Sequence, residues 1–163
     1  MSKPPRERFQ ELLETFSVGI LVTEGPDGVL TGRPMNVAAI DSDADVWFCT
    51  QVDSPKAEDV TTHPDVLIAF QDAARYLTVN GSARLVRDRS KIDELWNESW
   101  KIWFPGGQSD PTLALLHVSA SHGQYWDNSW QQGLRYAIRA GQAYLTGDTP
   151  EVPKDVNAKV ALP

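Results

Sequence analysis

Arg33, Thr50, Gln51, Ser54 and Lys56 bring a guanidinium, an ammonium, two hydroxyls and an amide into a short reach of chain. Most of them fall in residues 46–60, reading VWFCTQVDSPKAEDV. An apolar strand, Val46-Trp47-Phe48-Cys49-Thr50, breaks at Asp53 and restarts as a helix. Ser54 is expected at its N-cap and Pro55 at its first helical position, where a missing N–H is harmless. A strand that runs into a helix start with Lys56 in the first turn presents free backbone N–H groups, hydroxyls and a cation together. That combination suits an anion. Read alone, the same stretch also fits a plain helix cap and a solvated lysine. Arg33 joins the set if the second and third strands pair as neighbours, because it then lies beside Thr50. An arginine fork, a lysine, two hydroxyls and a helix N-terminus form a phosphate site of dianion size. Without that pairing, Arg33 reads as an exposed arginine on a barrel edge.

Other chemistries lack support. The three histidines, His63, His117 and His122, have no partner at metal-ligand spacing, and no CxxC, HExxH or acidic calcium loop occurs, so no metal is expected. There is no GxSxG, Walker A or GxGxxG. The one cysteine, Cys49, excludes an internal disulfide, fits a reducing cytoplasmic setting and reads as a small buried hydrophobe. No general acid or base stands out, so the catalytic residues are unknown.

The net charge of −7 argues against nucleic acid as a partner, since phosphate neutralisation needs a basic surface. No apolar run is long enough to span a membrane, and no apolar segment follows the basic N-terminus, so a cytoplasmic protein is expected. The six tryptophans serve cores, interfaces and planar-ligand pockets equally well.

These residues need a scaffold to place them. Phe9, Leu12, Leu13 and Phe16 fall on one face of a short helix. Residues 19–23 and 29–40 read as strands joined by the turn Gly25-Pro26-Asp27-Gly28. Pro34 demotes its part of the second strand to an edge, bulge or rim. Residues 46–50 form the third strand, and the helix from Ser54 should stop near His63, before Pro64. Strands follow at 66–71 and 76–86, the latter with a bulge or bend at Gly81. Asp88 or Ser90 caps the next helix, Ser90 with Asp93 forming a capping box. Strands are expected at 112–121 and 123–127. Leu134, Ala137, Ile138, Ala140 and Leu145 mark a C-terminal helix, and 147–163 reads as a polar tail. The whole is a single domain over 1–163, mainly β with peripheral helices (α+β): an antiparallel barrel rather than a doubly wound sheet.

The ordered set of pieces resembles the FMN-binding split-barrel superfamily of pyridoxamine 5′-phosphate oxidase, and within it the general stress protein family. The pieces are Gly32-Arg33-Pro34-Met35, Trp47-Phe48-Cys49-Thr50 with Ser54-Pro55-Lys56, His63-Pro64-Asp65-Val66, Tyr76-Leu77-Thr78-Val79-Asn80-Gly81, Trp103-Phe104-Pro105-Gly106-Gly107 and Tyr125-Trp126-Asp127. The resemblance implies a split barrel of the FMN-binding type. It assigns Arg33, Ser54 and Lys56 to an FMN phosphate, with Thr50 and Gln51 nearby and Pro34, Met35 and Asn36 bordering the ribityl chain or ring. It further implies a homodimer with flavin at the subunit interface, where Trp103, Phe104 or Trp126 covers the ring; FAD presents the same inner phosphate. In the true oxidases a Glu-Phe-Trp-Gln segment is followed by the arginine and histidine that hold the substrate; here Gln124-Tyr125-Trp126-Asp127 keeps the tryptophan, and Leu134-Arg135-Tyr136-Ala137 follows in helical pattern without that pair. The implied function is therefore an FMN-binding flavoprotein of general stress type, at most a weak oxidoreductase. Alternatives are a flavin carrier or sensor without turnover, a split barrel that binds haem or deazaflavin, and a ligand-free dimer.

Overall fold

Phe9, Leu12 and Leu13 are buried on helix α1 (Pro5–Leu13), and Phe16 follows just beyond it in the same core. Pro5 takes the first helical position, where its fixed φ suits the helix. The computed structural model describes residues 3–147 and 156–163, with the backbone alone for 130–136.

Seven antiparallel strands follow: β1 (Val18–Glu24), β2 (Leu30–Ile40), β3 (Val46–Gln51), β4 (Asp65–Gln71), β5 (Arg75–Val86), β6 (Leu113–Asp127) and β7 (Asn157–Ala161). Their order is β3-β2-β1-β4-β5-β6-β7, and β3 also pairs with β6. That second pairing closes the first six strands into a barrel. Three further helices are peripheral: α2 (Pro55–Thr62), α3 (Arg89–Leu95) and α4 (Trp130–Thr146). Among the described residues no helix is long and apolar enough to cross a membrane.

The hairpin of β1 and β2 turns at Gly28, whose φ of 77° favours glycine. Pro34 sits opposite Ile20 on the half of β2 whose ladder partner is β1, while pairing with β3 involves Val37–Ile40. Its missing N–H therefore falls on an open edge, as the sequence predicts. The expected irregularity at Gly81 is a register shift between Asn80 and Gly81 in the β5–β6 ladder.

Three expectations change. Residues 112–121 and 123–127 are not two strands but one, β6, because Gly123 is not a break: the Phe9 ring packs where its side chain would stand. The polar tail contains β7, which pairs with His122–Trp126 of β6; its residues 148–155 lie outside the described part. The cap of α3 is Asp88, which accepts from Lys91 N at 2.9 Å, and not a Ser90–Asp93 box.

The core has two compartments, both fed by β3 and β6. Phe48, Leu116 and Val118 enter the barrel interior with Phe9, Leu21, Ile68, Phe70 and Leu77. Their alternate neighbours Trp47, Leu113 and Leu115 face outward onto Ile92 of α3, Trp100 and Phe104. Period-two alternation gives each strand one residue set per compartment. Three of the tryptophans, Trp47, Trp96 and Trp100, belong to this outer layer.

Candidate functional site

The carboxyl end of β3, the first turn of α2, the open stretch of β2 and the segment after α3 surround one cavity of about 250 Å³. Pro34, Met35 and Asn36 line it from β2; Thr50 and Gln51 from β3; Lys56 from α2; Trp103 and Phe104 from the segment following the 3-10 turn at Glu98–Ile102. Eight of the eleven residues singled out in the sequence thus share one space. Cys49 also lines it, which sequence reasoning did not place there.

Ser54 stands behind this wall. It holds the N-cap position of α2, yet its side chain makes no capping bond. Its hydroxyl donates to the Gln51 carbonyl at 2.8 Å and lies 3.1 Å from Thr50 Oγ1. With the Ser54 proton on Gln51, Thr50 is the donor in that pair. The amides of Ala57 and Glu58 both go to the Ser54 carbonyl, at 2.9 and 3.2 Å. Pro55 has no N–H, and the amide of Lys56, in the first helical turn, has no acceptor among the described residues.

Lys56 is half-buried, and its ammonium has no hydrogen-bond or ion-pair partner among the described residues. Burial pushes its pKa below the usual lysine value; the guanidinium of Arg33 adds to this, and Cys49 opposes it. The Cys49 thiol is pushed up to about 11, chiefly by burial. It is protonated at neutral pH and a poor nucleophile.

Arg33 flanks the cavity without lining it. Its Nη1 donates to Thr23 Oγ1 at 2.7 Å, and its Nη2 lies 3.8 Å from Asp59 Oδ2. Arg33 is directly opposite Leu21 rather than beside Thr50, so it approaches Lys56 from the β1 side. A lone ammonium, a free amide, a nearby guanidinium and apolar or aromatic walls can hold an elongated, partly planar anion. The donor set fits a flavin with a terminal phosphate.

Trp126 is elsewhere. It borders a separate cleft on the outer faces of β1, β4 and β5, with Val18, Ile20 and Tyr76, all exposed apolar residues. Within one chain Trp126 and the Lys56 cavity do not meet. Gln124 and Tyr125 serve the fold: Gln124 donates to Asn157 at 3.4 Å and Tyr125 is fully buried.

One titratable group lies apart from the cavity. Asp41, Asp45 and His117 offer ligand atoms within 4.8 Å of one another, a proximity that their sequence spacing hides. All three are engaged within the protein. His117 Nε2 lies 2.9 Å from Asp45 Oδ2, Asp45 Oδ1 accepts from Ala120 N, and Asp41 accepts from Trp47 Nε1 at 2.8 Å. The Trp47 ring stacks on His117 with centroids 4.1 Å apart. The group ties the 41–45 turn to β3 and β6.

Comparison with known proteins agrees with this architecture. A protein assigned to general stress protein 26 from Jannaschia sp. CCS1 shares 25% identity over 95% of this chain and 96% of its own, with a TM-score of 0.69. The general stress FMN/FAD binding protein of Xanthomonas citri shares 30% identity over 76% of this chain and 91% of its own, with a TM-score of 0.65. Protein bli-3 of Neurospora crassa is 28% identical over 109 residues, 60% of this chain; the chain spans about half of that relative, 52% of its length. The family described as pyridoxamine 5′-phosphate oxidase like matches residues 5–151. The chain belongs to this pyridoxamine 5′-phosphate oxidase-like family, alongside its general stress proteins.

Proposed function

We propose that this protein is an FMN-binding flavoprotein of the general stress type, with the flavin phosphate at Lys56 and Arg33. The observation that carries this reading is the unpaired, half-buried Lys56 ammonium at one end of a cavity whose other walls include Met35, Trp103 and Phe104. A buried charge without a partner is destabilising unless a ligand of opposite sign compensates it. A flavin phosphate does so, and the free Lys56 amide adds a neutral donor. Pro34, Met35 and Asn36 border the ribityl chain or ring; Thr50 and Gln51 flank the phosphate end. Ser54 acts through the backbone it fixes. The inner phosphate of FAD meets the same groups. The Xanthomonas citri relative, named for FMN/FAD binding, supports the same ligand class.

When bound, the flavin supplies redox chemistry, and the protein supplies orientation and electrostatics. The titratable side chains on the described cavity wall are Cys49 and Lys56. No carboxylate or imidazole lines that wall, and the Cys49 thiol is protonated at neutral pH, which favours a second reading: a flavin carrier or sensor without turnover. A true pyridoxamine-phosphate oxidase is not proposed, because the stretch Leu134-Arg135-Tyr136-Ala137 runs within α4 rather than as a strand and carries no histidine. The homodimer belongs to the same proposal: Val18, Ile20 and Tyr76 leave an apolar surface next to Trp126 for a second copy, whose aromatic residues then approach the flavin. A cytoplasmic location accompanies this reading.

The test is an absorption spectrum of the purified protein with and without added FMN. Uptake of FMN that is lost in Lys56→Ala supports the reading; a colourless protein that takes up no FMN overturns it. Bound flavin that NAD(P)H reduces favours an oxidoreductase, and bound flavin that it leaves oxidised favours the carrier.

A further inference from the structure

Arg33 is held by two residues, Thr23 of β1 and Asp59 of α2. Its Nη1 donates to Thr23 Oγ1 at 2.7 Å, and Thr23 Oγ1 donates onward to Asp59 Oδ2 at 2.7 Å. Asp59 Oδ2 lies 3.8 Å from Arg33 Nη2. Thr23 is wholly buried, and the side chains of Asp59 and Arg33 are 11% and 21% exposed. The arrangement follows from register and helix phase. Arg33 is directly opposite Leu21 in the β1–β2 ladder, so its side chain projects to the same side as Leu21 and, two residues on, Thr23. On α2, Asp59 stands three residues after Lys56, on the same helix face. One helix therefore presents both the unpaired ammonium and the carboxylate that anchors the guanidinium beside it.

We infer that Thr23 and Asp59 are positioning residues of the anion site, holding the Arg33 guanidinium so that it shares a ligand phosphate with Lys56. This rests on the flavin reading above and deepens it. A free arginine side chain loses much rotational freedom when it clamps a phosphate, and a guanidinium already fixed by Thr23 loses less. Asp59 also moderates the repulsion between two cations held in one corner, the repulsion that contributes to the lowered Lys56 pKa. Among the described residues one donor of Arg33 is engaged by a hydrogen bond, which leaves the others for the phosphate. The same bonds also stitch the β1–β2 hairpin to α2, so a purely structural role must be told apart from a positioning one.

FMN and riboflavin, which differ by the phosphate, separate the two. Thr23→Val keeps the shape and removes the relay hydroxyl. It is expected to weaken FMN binding about tenfold, the range for a hydrogen bond to a charged group, and to change riboflavin binding less than about twofold. Thr23→Ser is expected to restore FMN affinity. In an Arg33→Ala background, Thr23→Val is expected to add less than about twofold, because Thr23 acts through Arg33. Equal losses for both flavins, no loss, or full additivity with Arg33→Ala overturns the inference while leaving flavin binding in place. Wild-type protein that binds FMN no more tightly than riboflavin overturns the phosphate reading and this inference with it. Should Thr23→Val not fold, Thr23→Ala takes its place with the same expectations.

Discussion

The Ser54 hydroxyl donates to the Gln51 carbonyl, three residues back, at 2.8 Å, and so closes the strand-to-helix junction rather than capping the helix it precedes. Ser54→Ala breaks this bond and the 3.1 Å contact to Thr50. The expected result is a loss of about 1 kcal/mol in stability, typical of one hydrogen bond, seen as a lower urea midpoint. FMN affinity should fall less than about threefold, well short of the loss at Lys56, because the hydroxyl's proton is already committed.

Lys56→Met removes the cation and keeps the stem. FMN affinity, followed by flavin fluorescence, is expected to drop between ten- and a hundredfold, about what a charge-assisted hydrogen bond is worth. The ligand-free protein should melt at the same temperature or higher, since an uncompensated half-buried ammonium has been deleted.

The wild-type pH profile has a determined sign. Burial, then Arg33, lowers the folded pKa of Lys56 below its unfolded value. Ligand-free folding is therefore opposed by this group at neutral pH, and the opposition fades as pH rises toward the unfolded pKa of about 10.4. Phosphate binding runs the other way. FMN affinity should decline on the alkaline side, starting below the ordinary lysine range, and the decline should vanish in Lys56→Met.

Cys49 lines the same cavity with its thiol pushed up to about 11 by burial. Alkylation by iodoacetamide at pH 8 should be far slower than for a free cysteine, since the thiolate is the reactive form. Saturating FMN should slow it further by covering the wall. Rapid labelling insensitive to FMN would place the ligand elsewhere.

Acid should unfold the protein partly through Asp127 and Asp72. Asp127 is fully buried under an ion pair with Arg8; burial raises its pKa, but Ser129 and Arg8 outweigh this and hold it below the usual value. Arg75 is the main cause that holds Asp72 at about 2. Lowered folded pKa values give stability above the unfolded value that is lost as pH falls through the folded one. Stability should therefore decline from about pH 4 toward about pH 2. Asp127→Asn should flatten part of that decline and lower stability at pH 7, and a parallel curve for the variant would exclude the role.

Much of the barrel was legible because its signals are local. The Gly25–Gly28 turn lies between alternating runs, and Phe9, Leu12 and Leu13 carry a helical period. The cluster of Thr50, Gln51 and Lys56 was legible too, since a strand that runs straight into a helix places its last residues beside the helix start. What escaped depends on distant register. Thr23 meets Arg33 only because Leu21 pairs with Arg33, and Asp59 meets both through the phase of α2. Gly123 looks like a strand end until Phe9, more than a hundred residues earlier, claims its side-chain space. Residues 157–161 carry little apolar signal, and their strand exists because β6 offers them an edge.

The closure of the barrel has a kinetic corollary. Trp47 pairs with His117, far along the chain, whereas the β1–β2 hairpin turns within a few residues. Loop-closure entropy must be met before contacts this remote repay it, so the β3–β6 seam is expected late on the folding pathway. The cradle at the end of β3 inherits that lateness. Substitutions at Phe48 or Leu115 should chiefly accelerate unfolding, with refolding rates little changed. A newly made chain then completes its cradle only after the last stave is in place, and any ligand held there would act as a latch on the slowest seam.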